Sequence, residues 1–151
     1  MKKYFLILIF LLLLSFTVFA DNENKKTIDY SKYFDNLGEV KSQLNSNIQG
    51  LSGVAKNFIG NERVNINFTT QDKGIMQMHA IINNGQVETL EKENLKGSDL
   101  DIYIKEKDID EIVNSDEPKK ELKVKLENGE IKYKTHGFFK GLKLKIVKMF
   151  L

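Results

Sequence analysis

The sequence predicts an α+β domain, an antiparallel sheet covered on one side by helices. Three observations carry this. Apolar residues recur at steps of three and four between Leu37 and Phe58, the period drops to two from Arg63 onward, and helical patterns return on either side of a last strand-like stretch near the C-terminus. Strands in a run with helices at both ends imply a sheet with one covered face.

The first 20 residues, MKKYFLILIFLLLLSFTVFA, stand apart from that domain. Two lysines, an unbroken apolar run and then small residues are the three-part layout of a secretory signal peptide. Val18 and Ala20 suit the small-residue positions before a cut, so cleavage is expected between Ala20 and Asp21. Retention as an anchor is the alternative, because the 17-residue run from Tyr4 to Ala20 meets the floor of roughly 17 for a membrane span. Either way the remainder is expected outside the cytoplasm, secreted or held at the outer face of the membrane. Residues 21–28 read as a short flexible leader, and 29–151 as the domain.

Leu37, Val40, Leu44, Ile48, Leu51, Val54 or Ala55 and Phe58 mark one face of a helix, with Gly50 and Gly53 predicting a break near Gly50. In RVNINFTT, Val64, Ile66 and Phe68 face one way while Asn65 and Asn67 face the other, which predicts a strand. Asp72-Lys73-Gly74 turns the chain into a second strand, IMQMHAII, and Asn83-Asn84-Gly85 is a tight-turn signal before a short third strand, QVETL. A charged loop over 91–98 leads to a fourth strand in which Leu100, Ile102 and Ile104 alternate with Asp101, Tyr103 and Lys105. EKDIDEIVN is a short amphipathic helix with Ile109, Ile112 and Val113 inward. Asp116 and Pro118 form a helix-start signal, yet in KKELKVKLENG the residues Leu122, Val124 and Leu126 alternate like a strand, so that segment reads either way. GEIKYKTHG is a strand with Ile131 and Tyr133 inward, and GFFKGLKLKIVKMFL is a closing helix.

Composition excludes several functions. There is no cysteine, hence no disulfide, thiol catalysis or cysteine-held metal. Residues 21–118 carry 11 basic and 18 acidic side chains, a balance of −7, whereas residues 119–151 carry 10 basic and 3 acidic, a balance of +7. Lysine supplies that charge and Arg63 is the one arginine, which argues against nucleic acid, where guanidinium forks and stacking are preferred. His79 and His136 lie in no motif, and HExxH, GxSxG, GxGxxG and Walker-type loops are absent. Asp99, Asp101, Glu106, Asp108, Asp110 and Glu111 lack the spacing of a calcium loop and read as a solvated face. No enzyme, metal or cofactor is expected. Asn67-Phe68-Thr69 is a glycosylation acceptor by pattern.

The apolar side holds the signal. Phe139, Leu142, Ile146, Met149 and Phe150 stripe the closing helix, while Phe138, Leu144, Val147 and Leu151 occupy most of its remaining circumference, punctuated by Lys140, Lys143, Lys145 and Lys148. A helix apolar nearly all round must be covered on more than one side, by neighbouring helices, a ligand, a partner or a membrane. Met76 and Met78 share a strand face with Ile82 and suit an adaptable wall or an ordinary core.

Three phrases, VNINFTTQDKG…IINNGQVETL, SDLDIYIKEKDIDEIVNSDEP and NGEIKYKTHGFFKGLKLKIVKMF, fall in the order of the sterol carrier protein type-two, or non-specific lipid-transfer, domain. The chain resembles that family from Val64 to Phe150, with Asp29 to Phe58 in the place of its first helix. It departs in carrying an export signal and in the extra residues of Tyr133-Lys134-Thr135-His136-Gly137. The resemblance implies a five-stranded, largely antiparallel sheet with helices on one face, a helical KKELKVKLEN, and an apolar tunnel between the layers. The expected function is an exported lipid-binding or lipid-transfer protein for an acyl, sterol or isoprenoid chain. Its wall would be Phe68, Met76, Met78, Ile102, Ile104, Ile112, Phe139, Leu142, Ile146 and Phe150, with Lys140, Lys143 and Lys148 meeting head groups or a membrane surface. The rival readings are a membrane-peripheral module of this fold with a filled core, and an accessory domain that has lost the cavity.

Overall fold

A computed structural model describes residues 29–50 and 61–136. The expected signal peptide, the leader and the closing helix lie outside the described residues, as do Leu51, Val54, Ala55 and Phe58. Nine elements follow in order: α1 (Tyr30–Asp35), α2 (Leu37–Gln49), β1 (Glu62–Thr70), β2 (Gly74–Asn83), β3 (Gln86–Lys92), β4 (Leu100–Lys105), α3 (Glu106–Val113), α4 (Pro118–Glu127) and β5 (Lys132–Thr135). The fold is α+β, as expected.

The five strands form one mixed sheet in the order β3-β2-β1-β4-β5. Three of its pairings are antiparallel and β1–β4 is parallel, so the sheet is largely antiparallel with one parallel joint at its centre. The Asn84-Gly85 turn closes β2 onto β3 with both residues at positive φ, 49° and 73°, the pairing that a two-residue hairpin of this twist requires.

Both sequence ambiguities have physical answers. The first helix is interrupted at Asn36, and α2 stops where Gly50 caps it. The stretch after Pro118 is a helix, because Leu122, Lys125 and Leu126 turn inward at i, i+3 and i+4 while Val124 is left 38% exposed. Asp116 is not its cap: Pro118 takes the first position and Glu117 precedes it.

One sheet face and the helices enclose the core. Across the sheet, Met76, Phe68 and Ile104 form one rung, Met78, Ile66 and Ile102 the next, and Ala80, Val64 and Leu100 a third. Tyr30, Tyr33 and Phe34 of α1, Val40, Leu44 and Ile48 of α2, Ile109 and Ile112 of α3, and Leu122 and Leu126 of α4 complete it. α2 also covers the edge of β3: the Asn45 side chain donates to Val87 O at 3.0 Å and accepts from Val87 N at 2.7 Å. An amide thereby completes the pairing of an otherwise open strand edge.

Candidate functional site

The expected wall residues within the described chain come together. Phe68, Met78, Ile102, Ile104 and Ile112 are buried in the layer between sheet and helices, and Met76 packs partly buried against it. Strand alternation alone places the five strand members, Phe68, Met76, Met78, Ile102 and Ile104, on one face, since β1, β2 and β4 pair in register there. Phe139, Leu142, Ile146 and Phe150 of the wall, and Lys140, Lys143 and Lys148, lie outside the described residues.

Phe68 is the point at which the sheet meets the aromatic residues of α1. Its ring lies 4.8 Å from that of Tyr30 and 5.8 Å from that of Phe34, spacings at which aromatic pairs attract beyond simple burial. Tyr30 turns its hydroxyl out of the layer and donates to Asp110 Oδ1 at 2.5 Å, tying α1 to α3. Burial, and then the neighbouring Asp110 carboxylate, raise the Tyr30 hydroxyl well above the ordinary phenol range. Burial likewise pushes Tyr33 up to about 12.

The acidic cluster is not a single solvated face. Asp108 is buried, with 1% exposure, beneath the equally buried Lys125 of α4. The Lys125 ammonium meets Asp108 at 3.6 Å, Glu130 at 3.2 Å, Glu121 at 3.7 Å, and Glu111 in a short hydrogen bond. Burial works against that ammonium, but the hydrogen bonds it donates to Glu111 and Glu130 prevail and its pKa is raised. Glu111 is held below the usual carboxylate range chiefly by its bond to Lys125. Asp108, Glu111 and Glu130 offer oxygens within 4.8 Å of one another, close enough for a metal ion. The lysine ammonium already stands among them, so a cation would have to displace it. The arrangement is a buried Lys125–Asp108 pair ringed by partly exposed glutamates, and it fastens α3 to α4 and to the turn before β5.

The second sheet face is also covered. Asn65 and Asn67, which alternate onto this face, are both buried, because residues 93–98 fold back over them. Asn65 donates to Leu95 O at 3.1 Å and accepts from Leu95 N at 2.8 Å, the exchange a neighbouring strand would make. Asn67 accepts from Gln77 at 3.1 Å and Asn94 at 2.9 Å, and its own nitrogen donates to Ile102 O at 3.4 Å. The glycosylation pattern at Asn67 is thus enclosed within the folded domain. The histidines join the same network: His79 Nδ1 donates to Glu93 O at 3.0 Å, and His136 Nε2 to Asp101 Oδ2 at 2.7 Å.

Ser98, Asp101 and His136 bring together a hydroxyl, a carboxylate and an imidazole, but not in a nucleophilic order. Ser98 Oγ donates to Asp101 Oδ1 at 2.6 Å and His136 addresses the other oxygen of the same carboxylate. A serine nucleophile needs the imidazole as its base, with the carboxylate behind it. Partial burial opposes ionisation of Asp101, but its bonds from Ser98, His136 and Asn65 outweigh it and lower the pKa. Arg63 does the same for the neighbouring Asp99, bonding it at 3.2 Å.

Sequence reasoning missed Lys125 because a lysine in a strand-like KVKL pattern reads as solvated. It missed the aromatic residues of α1 because the apolar count began at Leu37. Tyr30, Tyr33 and Phe34, at i, i+3 and i+4, were the available signal.

No protein-family model and no curated protein sequence matches the chain. Solved structures do resemble it. Sterol carrier protein 2 like 2 from Aedes aegypti is 10% identical, with a TM-score of 0.48, covering 76% of this chain and 95% of that one. The palmitated form of that protein in solution gives 11% identity, a TM-score of 0.49, and coverage of 72% and 88%. Sterol carrier protein 2 from Yarrowia lipolytica, in its apo form, gives 12%, 0.48, and coverage of 75% and 94%. These likenesses concern the course of the backbone and say nothing of a ligand.

Proposed function

We propose that the chain is an exported lipid-binding or lipid-transfer protein that shelters an acyl, sterol or isoprenoid chain between its sheet and its helices. The observation that carries this reading is where the last segment departs. β5 pairs with β4 beside the apolar rungs, Leu100 opposite Thr135 and Ile102 opposite Tyr133. From there the sequence continues into residues 137–151, which by their pattern would make a helix apolar on most of its circumference, more than one sheet face would cover. A lipid against that segment would supply the missing cover, and each CH₂ withdrawn from water would contribute ~0.8 kcal/mol. The order of sequence phrases shared with sterol carrier domains supports the same reading, and the signal-peptide layout of the first 20 residues supports export. Binding and release of a chain need no nucleophile, metal or cofactor, so we read the protein as a carrier and not a catalyst.

The test is a native mass spectrum of protein purified without detergent after expression of the full chain. Adducts of lipid mass that disappear on organic extraction are expected. A folded monomer of bare polypeptide mass would sink the carrier reading.

A second reading is a membrane-peripheral module with a filled core. It is favoured by how completely Phe68, Ile102, Ile104 and Ile112 are already enclosed. Reversing the charge of Lys140, Lys143, Lys145 and Lys148 should then abolish vesicle binding, whereas a sheltered lipid should survive it.

A further inference from the structure

We propose that Gln43 and Asn47 on α2 form a seat for the hydroxyl head of a lipid alcohol. This rests on the lipid-binding reading above and adds to it the class of ligand. The Gln43 Oε1 and Asn47 Nδ2 atoms are both shut away from water, and among the described residues neither has a hydrogen-bond partner. Buried polar atoms are overwhelmingly paired in folded proteins, so two orphans on one helix call for a partner.

Their place on the helix says where that partner would sit. Val40, Leu44 and Ile48 form the buried stripe of α2. At about 100° per residue, Asn45 projects to one side of this stripe, where it is committed to the edge of β3. Gln43 and Asn47 project to the other side, away from that edge. Four residues apart, their side chains are neighbours, and one oxygen about 2.8 Å from each could bridge them.

The missing group must donate to one amide and accept from the other. Exchanging oxygen and nitrogen in both amides reverses the roles and leaves the requirement unchanged. A carboxylate only accepts, and would leave one amide unmet while burying a charge. A ketone or ester has the same defect without the charge, and an ammonium only donates. A hydroxyl does both. Attached to an apolar body, it would place its hydrocarbon along the neighbouring core stripe.

The experiment uses protein purified after expression of the full 151-residue chain and stripped of lipid. Competitors 1-hexadecanol, hexadecanoate and hexadecane, delivered from cyclodextrin, displace a fluorescent apolar probe. The alcohol is expected to bind about tenfold tighter than the alkane, the scale of satisfying buried polar groups. In the Gln43→Met/Asn47→Leu variant the alcohol should fall to the level of the alkane, with each single variant several-fold weaker for the alcohol. Melting of the lipid-free variant keeps the test sound: removing two partnerless amides should leave its midpoint unchanged or raised. A lowered midpoint would mean that the amides have partners within the protein, and would overturn the proposal. So would an alcohol no better than the alkane, as expected if the pair merely holds a water, or a preference for hexadecanoate. If the probe and all three competitors fail to bind, the lipid reading itself falls.

Discussion

Replacing Lys125 by methionine keeps the volume of the stem between Leu122 and Leu126 but deletes the ammonium from the ring of carboxylates. Three of those carboxylates have recourse to water: the side chains of Glu111, Glu121 and Glu130 are 47%, 33% and 40% exposed. Each exposed pair is worth only about 0–1 kcal/mol. Asp108 is different, because its side chain is 1% exposed and would be left buried beside three like charges. Breaking a buried pair on one side costs roughly 3–5 kcal/mol, so Lys125→Met is expected to lose about that much. Urea denaturation at pH 7 measures it, and the melting midpoint should fall by at least ~10 °C for a domain of this size. The Lys125→Met/Asp108→Asn double variant should recover part of the loss, since the stranded charge is gone. If Lys125→Met unfolds within about 0.5 kcal/mol of the parent, the ordinary spread of surface substitutions, the ammonium is not what holds the cluster. If the double variant is less stable than the single one, the stranded charge is not the cause.

Three further outcomes follow from the same geometry. Phe68→Ala should cost about 3–5 kcal/mol, read as a lower urea midpoint at unchanged slope, and a loss below about 1 kcal/mol would contradict its burial against Tyr30 and Phe34. Asn45→Ala strips both bonds from Val87 and should cost about 1–3 kcal/mol while exposing the β3 edge to self-association by light scattering. Asp99 and Asp101 both have folded pKa values below their unfolded ones, so their contribution is present above the unfolded value near ~3.9 and is lost as pH falls through the folded values. Acid titrations should therefore show a destabilising limb below about pH 4, and it should shrink in Asp101→Asn.

How much of this was legible depended on whether a residue's type matched its surroundings. Val64, Ile66 and Phe68 alternate in an apolar strand on an apolar layer, and their face, partners and turns follow from the sequence directly. Asn65 and Asn67 alternate just as regularly, but their type says water while their position says interior. Only the fold-back of residues 93–98, whose carbonyls and amides meet them, reconciles the two, and no periodicity encodes it. Lys125 misled for the same reason: its hydrocarbon stem belongs to the stripe of α4, whereas its charge is matched by residues up to 17 positions away along the chain. The Gln43 and Asn47 orphans are invisible in sequence, since only a described neighbourhood shows which amides lack a partner.

The parallel joint between β1 and β4 also sets an order of events in folding. β1, β2 and β3 are joined by tight turns, and their contacts close short loops on the microsecond scale typical of hairpins (~1–10 μs). β4 must instead cross back over the sheet to lie beside β1, pairing Ile66 with Ile102 across 36 residues of chain. Such non-local contacts carry the larger loop-closure entropy and govern the folding rate. The three-stranded meander is thus the early, reversible part of folding. Docking of β4, with α3 attached directly to its end, is the slower step that commits the chain. A chain synthesised from its N-terminus has the meander in hand before the strand that locks it has been made.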